Sequence, residues 1–141
     1  MSIEQFTPEL EALRKASLAV LKNAYCCYSN FPVGAALIGK DGKIYTGVNV
    51  ENASFPCGWC AEVSAFGATV TAVVKEFKAM AVATDRDDYV SPCGQCRQVI
   101  IEFCAGTRMP LLLVNRKRDF KKVVIEDLHP MTFRSSHLKN C

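Results

Sequence analysis

The residues with the clearest chemical potential lie in two cysteine-rich segments near the middle of the chain. Segment 57–62 reads Cys-Gly-Trp-Cys-Ala-Glu, and segment 92–96 reads Pro-Cys-Gly-Gln-Cys. Each segment is predicted to begin a helix. A thiolate at the amino-terminal end of a helix meets the positive end of the helix dipole, which lowers its pKa and favours metal binding.

Cys60, Cys93 and Cys96 form the candidate ligand set. Cys93 and Cys96 are three positions apart, so a helix places them on one face. Three thiolates around Zn²⁺ leave a fourth tetrahedral position for water, which is the pattern of a catalytic zinc site. Glu62 follows Cys60 closely, and its carboxylate can take a proton from that water and deliver it to a substrate.

A series of helices and strands is predicted to position these residues. Segment 7–9, Thr-Pro-Glu, is a typical helix start, with a capping hydroxyl and a proline at the first helical position. That helix is expected to end near Ala24. The turn-forming pair Asp41-Gly42 separates segments 33–39 and 44–50, which predicts a hairpin.

The rest of the chain alternates between helical and buried-strand patterns. The further predicted elements are helices at about 60–74 and 93–104, strands at 79–84 and 111–114, and an edge strand at 120–125. This order indicates a three-layer α/β fold with a mixed sheet between helices. The chain has 141 residues, half of them hydrophobic, which suits one domain over residues 1–141.

The charge balance argues against a nucleic-acid partner. The chain has 17 Lys and Arg against 14 Asp and Glu, and its basic residues cluster only at 116–118 and 121–122. Such short runs are typical of solvated turns. A face that binds a polynucleotide needs a broader basic stripe interleaved with aromatic residues.

Other features of the sequence indicate a cytoplasmic protein. No segment approaches the roughly 18 consecutive apolar residues of a membrane span. Residues 1–4 lack the basic region and apolar stretch of a signal peptide. Eight cysteines without a secretion signal favour a reducing compartment, where clustered cysteines more often bind metal or do redox chemistry than form structural disulfides.

Several short stretches together resemble the zinc-dependent cytidine deaminases, in particular the small nucleoside deaminases. The stretches are 31–36 (Phe-Pro-Val-Gly-Ala-Ala), 49–53 (Asn-Val-Glu-Asn-Ala), 60–62 (Cys-Ala-Glu), 91–98 (Ser-Pro-Cys-Gly-Gln-Cys-Arg-Gln) and 128–130 (Leu-His-Pro). They occur in the order of the family, and cysteine ligands with a nearby non-ligand glutamate are a known signature of zinc deaminases. The resemblance covers nearly the whole chain.

By this resemblance, Cys60, Cys93 and Cys96 hold zinc. Glu62 carries protons from water to the ring nitrogen and then to the departing amine. The family fold is a five-stranded mixed sheet between helices.

The resemblance also implies the substrate contacts. Asn49 and Glu51 match positions that bind the ribose hydroxyls, Phe31 matches the aromatic that packs on the pyrimidine, and the Ala61 N–H matches a donor to the base carbonyl. Residues two apart on a strand point the same way, which suits the Asn49 and Glu51 pair. Without the resemblance, this pair is interpreted as ordinary polar residues at a strand end.

The function implied is hydrolytic deamination of cytidine, and of deoxycytidine, to the uridine counterpart and ammonia in pyrimidine salvage. The substrate is a small nucleoside, with no nucleic-acid or membrane partner. The family is usually homotetrameric, with active sites near subunit contacts, and Phe55 lies in the loop that reaches a neighbouring site.

The chain departs from the family pattern at four places. Val63 follows the catalytic glutamate where an arginine usually contacts the zinc thiolates, and Arg97 beside Cys96 is a candidate to replace that charge. The other departures are Phe55 for a commoner Tyr, Cys57 for an aliphatic residue, and Phe133-Arg134 for a Phe-Gly pair.

Three alternative interpretations stay open. The four cysteines of Cys57-x-x-Cys60 and Cys93-x-x-Cys96 could form a closed structural zinc site, although the intervening segment 61–92 exceeds the roughly 15–20 residues of paired zinc knuckles. The same pairs could be dithiol redox motifs. A blasticidin-type or other zinc deaminase would keep the same chemistry, and the blasticidin type also lacks the arginine that Val63 replaces.

Overall fold

A computed structural model describes residues 7–138, which form a sheet with helices on both faces. Its main elements are α1 (Pro8–Val20), β1 (Val33–Gly39), β2 (Ile44–Val48), α2 (Ala61–Thr71), β3 (Phe77–Thr84), α3 (Gly94–Cys104), β4 (Pro110–Val114), β5 (Phe120–Val124) and α4 (Ile125–Leu128). Segment 1–4 and the last residue, Cys141, lie outside the described residues. No helix in the described part is long and apolar enough to cross a membrane.

The sheet has five strands in the order β2-β1-β3-β4-β5. β1 pairs antiparallel with both β2 and β3, β3 pairs parallel with β4, and β4 pairs antiparallel with β5. The prediction of a mixed five-stranded sheet is therefore confirmed, as are the hairpin and the edge position of β5.

Two hydrophobic cores lie on opposite faces of the sheet, which gives the predicted three layers. In β1 the side chains alternate: Ala35 and Leu37 join the core beneath α2 and α3, whereas Ala36 and Ile38 join the core beneath α1. The strand is apolar throughout because a sheet covered on both faces buries every side chain of its central strands.

Several element boundaries differ from those predicted: α1 ends at Val20 and β3 begins at Phe77, and the ends of the second strand and of α2 also differ. The second strand ends at Val48, because Val50 leaves the hairpin ladder to form isolated bridges with Tyr25 and Trp59. Helix α2 ends at Thr71 and does not reach residue 74, and Val73 beyond it takes a left-handed φ of 61°. β-Branched residues lose side-chain freedom in a helix, so the valines of this segment support its continuation poorly.

Gly47 in β2 sets how closely α2 approaches the sheet. A Cβ atom placed on Gly47 would lie 2.4 Å from the backbone nitrogen of Ala65 and 2.6 Å from the carbonyl oxygen of Ala61. Both contacts are with helix backbone, which cannot move aside as a flexible side chain can. The absence of a side chain at Gly47 therefore lets the first two turns of α2 lie directly against β2.

We expect Gly47→Ala to lower the free energy of unfolding by about 1–3 kcal/mol, because the added methyl group overpacks the contact between α2 and β2. Urea denaturation measures this change. Gly67→Ala in α2 is the matched control: nothing lies within 4 Å of a Cβ there, so stability should stay the same or rise by up to about 1 kcal/mol. Equal urea midpoints for Gly47→Ala and the native chain would contradict the close contact.

Candidate metal centre and substrate cavity

The amino-terminal ends of α2 and α3 each carry a cysteine at the capping position. Cys60 precedes α2 and Cys93 precedes α3, both in extended backbone conformation, and neither uses its side chain to cap its helix. Cys96 lies in the first turn of α3 and is fully buried. The unpaired N–H groups and the positive dipole ends of both helices therefore lie beside these thiols, where they favour the thiolate form.

The sulfur atoms of Cys60, Cys93 and Cys96 all lie within 4.8 Å of one another. The Sγ atoms of Cys60 and Cys93 are 3.8 Å apart. Thiolates that share one tetrahedral Zn²⁺ at about 2.3 Å are separated by roughly 3.8 Å, so the cluster fits a zinc ion.

Hydrogen bonding between the thiols shifts the pKa values of Cys60 and Cys96 in opposite directions. A hydrogen bond with Cys96, helped by one with Cys93, lowers the pKa of the Cys60 thiol to about 6 against the opposing effect of burial. The same contact with Cys60, together with burial, raises the pKa of Cys96. The cluster thus holds a readily ionised thiol, as a metal ligand requires.

Glu62 is the carboxyl group beside this cluster. It lies in the first turn of α2 and is 4% exposed. Burial raises its pKa to about 7 and the charge of Cys60 adds to the rise, whereas hydrogen bonds from its own backbone and from Cys96 oppose it. A carboxyl group with a pKa near neutrality can both accept and donate a proton at physiological pH.

A cavity of about 650 Å³ opens beside the thiol cluster, and this volume suits a small-molecule ligand. The predicted site residues in its lining are Phe31, Asn49, Glu51, Cys60, Glu62 and Cys93. Ala61 and Cys96 are fully buried outside that lining. Ala61 is the first residue of α2, so its backbone N–H has no acceptor within the helix and can serve a ligand.

Asn49 and Glu51 both reach the loop that carries Phe31. The Asn49 side chain donates to the Phe31 carbonyl at 2.8 Å and accepts from the Val33 N–H at 2.9 Å. Glu51 Oε1 accepts from the N–H groups of Tyr28 and Ser29, each at 3.0 Å. The sequence predicted that these two side chains share a side, but it did not predict that they hold a loop of the protein.

Several residues of the cavity lining were not predicted from the sequence, including Tyr28, Ser29, Thr84 and Gln95. Gln95 lies between the candidate ligands Cys93 and Cys96 in the sequence, and this position could have indicated that it lines the cavity. Tyr28, Ser29 and Thr84 come from a turn and from the end of β3, whose approach to the thiols depends on the sheet and not on a local pattern. In addition, the Arg86 guanidinium lies 4.6 Å from the centre of the Phe31 ring, as a cation–π contact.

Arg97 does not replace the missing family arginine by a hydrogen bond to sulfur. Its three nitrogens donate to the Pro92 carbonyl at 2.8 Å, the Leu128 carbonyl at 2.6 Å and the Ser91 hydroxyl at 2.9 Å. Arg97 therefore fixes the loop that leads into Cys93, and the expectation that it offsets the thiolate charge has no support in these contacts.

Cys57 is exposed and lies outside the cluster formed by the other three cysteines of the two segments. Among the described residues, the thiols that come together are therefore three in number. This arrangement leaves a ligand position for water, as in catalytic sites, and disfavours the closed four-cysteine interpretation.

Comparison with known proteins decides the family. Residues 7–110 match the sequence model described as "Cytidine and deoxycytidylate deaminase zinc-binding region". The chain belongs to the cytidine and deoxycytidylate deaminase family. Because the family region binds zinc and the three thiols can hold a metal ion, the cofactor is zinc.

Individual members of the family are similar to this chain over nearly their whole length. A cytidine deaminase of Sporosarcina psychrophila is 45% identical over 130 residues, which cover 92% of this chain and 95% of that protein. The crystal structure of cytidine deaminase from Burkholderia pseudomallei has a TM-score of 0.82 at 41% identity and covers 87% of this chain and 98% of that one. The structure from Mycobacterium tuberculosis has a TM-score of 0.75 at 33% identity, with coverage of 90% and 98%.

We expect Cys93→Ala to lose most of its zinc and to unfold at a lower temperature, because zinc binding is coupled to folding and one of three thiol ligands is removed. Cys57→Ala is the matched control, and it should keep the native zinc content. Elemental analysis of the purified proteins measures both. Full zinc in Cys93→Ala, or loss of zinc in Cys57→Ala, would show that the clustered thiols are not the ligands.

Proposed function

We infer that this chain catalyses the hydrolytic deamination of cytidine, and of deoxycytidine, to the corresponding uridine nucleoside and ammonia. The observation that carries this inference is the placement of one buried carboxyl group, Glu62, next to three clustered thiols at a ligand-sized cavity. A zinc site with a water position and an adjacent proton carrier suits hydrolysis of an amino group on a ring.

The metal-binding residues in this proposal are Cys60, Cys93 and Cys96. When bound, zinc supplies Lewis-acid activation of a water molecule. The three cysteines serve to hold the metal at the cavity, and their helix ends supply positive dipoles beside the negative sulfur atoms.

Glu62 is the proton carrier. Its carboxylate accepts a proton from the water that adds to C4 of the cytosine ring and passes that proton to ring nitrogen N3. It then takes the one proton that remains on the added hydroxyl and delivers it to the amine, so that the C4–N bond breaks and a carbonyl and ammonia are formed. The raised pKa of Glu62, to about 7, makes both directions of transfer accessible near neutral pH.

The substrate contacts in this proposal are Phe31, Asn49, Glu51 and Ala61. Phe31 packs on the base, and the Ala61 N–H at the start of α2 donates to the base carbonyl. Asn49 and Glu51, which both line the cavity, bind the ribose hydroxyls. An amide and a carboxylate offer the mixed donor and acceptor groups that a pair of hydroxyls requires.

We also propose a homotetramer of single-domain chains, working in the cytoplasm in pyrimidine salvage. Aromatic side chains are exposed around the cavity: Phe55 is 77% exposed, Tyr28 50% and Trp59 47%. Clustered exposed apolar groups are typical of an interaction surface, and here that surface borders the substrate cavity. The described cysteines are all free thiols, which suits a reducing compartment.

Conversion of cytidine by the purified zinc protein tests the proposed reaction, followed by the loss of ultraviolet absorbance and by chromatography of uridine. We expect Glu62→Gln to keep its zinc and its circular dichroism spectrum but to lose roughly 10²–10⁴-fold in kcat, because glutamine cannot carry the proton. A variant that retains more than about a tenth of the native kcat would rule out Glu62 as the proton carrier.

Light scattering after gel filtration should give four times the mass of one chain. Phe55→Asp should shift the protein toward smaller species, because a charge would be buried at the proposed contact. Val73→Asp, at an equally exposed valine away from the cavity lining, is the control and should leave the tetramer intact. A native chain that elutes as a monomer would refute the proposed assembly.

A further inference from the structure

The hydroxyl group of Ser29 joins two residues that the proposed function assigns to the substrate. Ser29 Oγ donates a hydrogen bond to Glu51 Oε2. The same oxygen accepts the backbone N–H of Phe31 at 3.1 Å. One small side chain therefore contacts both the carboxylate assigned to the ribose and the backbone of the aromatic residue assigned to the base.

The backbone of Phe31 is held on both sides by this arrangement. Its N–H is bound by Ser29, and its carbonyl is bound by Asn49 at 2.8 Å. Asn49 and Glu51 share one strand-like segment, which is paired through Val50 to Tyr25 and Trp59. The position of the Phe31 ring thus depends on hydrogen bonds from the residues that would bind the sugar.

We propose that Ser29 is a positioning residue for nucleoside binding, which couples the ribose carboxylate of Glu51 to the base-packing ring of Phe31. The proposal rests on the proposed function. The Ser29 hydroxyl acts by holding Glu51 and Phe31 in place, and it does not need to contact the reacting atoms.

The two carboxylate oxygens of Glu51 have different hydrogen-bond partners. Oε1 already accepts two backbone N–H groups, from Tyr28 and Ser29, so Oε2 carries the capacity for a sugar hydroxyl. The bond from the Ser29 hydroxyl fixes the rotation of the carboxylate and so directs the remaining lone pair. The same bond is the largest of the influences that lower the pKa of Glu51, because the hydroxyl donor favours the ionised carboxylate.

Removal of the Ser29 hydroxyl should leave the loop itself in place. The two backbone N–H bonds to Glu51 Oε1 and the two bonds of Asn49 do not involve the hydroxyl. The expected defect is therefore looser placement of the ribose and base contacts and not loss of the fold or of the metal. Such a defect raises KM and leaves kcat nearly unchanged.

The experiment compares Ser29→Ala, Ser29→Thr and the control Ser54→Ala, at an exposed serine in the neighbouring loop. For Ser29→Ala we expect KM for cytidine to rise about threefold to tenfold, the range for one lost hydrogen bond, with kcat within about twofold. The rise should be smaller for free cytosine, which has no sugar. Ser29→Thr keeps the hydroxyl and should restore the native KM, and Ser54→Ala should match the native chain.

Two further measurements do not depend on turnover. The sole tryptophan, Trp59, lines the cavity, so its fluorescence reports the binding of uridine. The dissociation constant of uridine should rise in Ser29→Ala by about the same factor as KM for cytidine. Carbon-13 NMR should show a higher pKa for Glu51 in Ser29→Ala than in the native chain. Burial first, and then the charges of Glu51, Asp85 and Cys27, raise the pKa of the nearby Cys26 thiol, so its titration is followed in parallel.

The proposal is overturned if Ser29→Ala keeps the native KM, uridine affinity and Glu51 pKa, or if it lowers kcat with KM unchanged. A threonine variant as defective as the alanine variant would also refute it, since the hydroxyl would then not be the active feature. Failure of the proposed function is a separate result, in which the native chain leaves cytidine unconverted. Weaker uridine binding by Ser29→Ala in that case would still support the Ser29 link.

Discussion

Two helix ends must meet at one point for this site to exist, because sulfur atoms that share a small cation tolerate little variation in spacing. Cys60 and Cys93 lie at the starts of α2 and α3, which follow different strands of the sheet. The close approach of α2 to β2 at Gly47 fixes one helix. The stacked rings of Phe66 and Phe103, 5.2 Å apart, fix the second helix against the first. Packing of the helices against the sheet and against each other therefore helps to set the distance between the thiols.

The same geometry places acidic groups close together at the inner end of the cavity, where Cys96 and Glu62 are buried. The readily ionised Cys60 thiol and the Glu62 carboxyl group are close together, and Val63 offers no charge to offset them. The helix ends are the positive groups that the described structure places directly at the cluster, because the guanidinium of Arg97 is engaged by oxygen atoms on the adjoining loops. Burial and this charge together account for the raised pKa of Glu62.

Local signatures in the sequence predict the sheet, the two helix starts and the candidate ligands. Patterns of a few residues were enough to identify three features: the Asp41-Gly42 turn, the apolar run of β1 and the Cys-x-x-Cys spacing of Cys93 and Cys96. The ends of β2 and α2 were harder, since Val50 and Val73 are placed by bridges and backbone conformation that no short pattern encodes. The contacts of Glu51 with Tyr28 and Ser29 join residues more than twenty positions apart, so no periodicity could reveal them.

The bond between Arg97 and the Leu128 carbonyl has a consequence for how the protein matures during synthesis. Arg97 also donates to Pro92 and Ser91, so Leu128 accepts one of the three hydrogen bonds that hold Arg97 beside the loop before Cys93. On the ribosome, Leu128 emerges after all five strands have been made. That hydrogen bond can therefore form only after the five strands and the two helices that begin at Cys60 and Cys93 have been made.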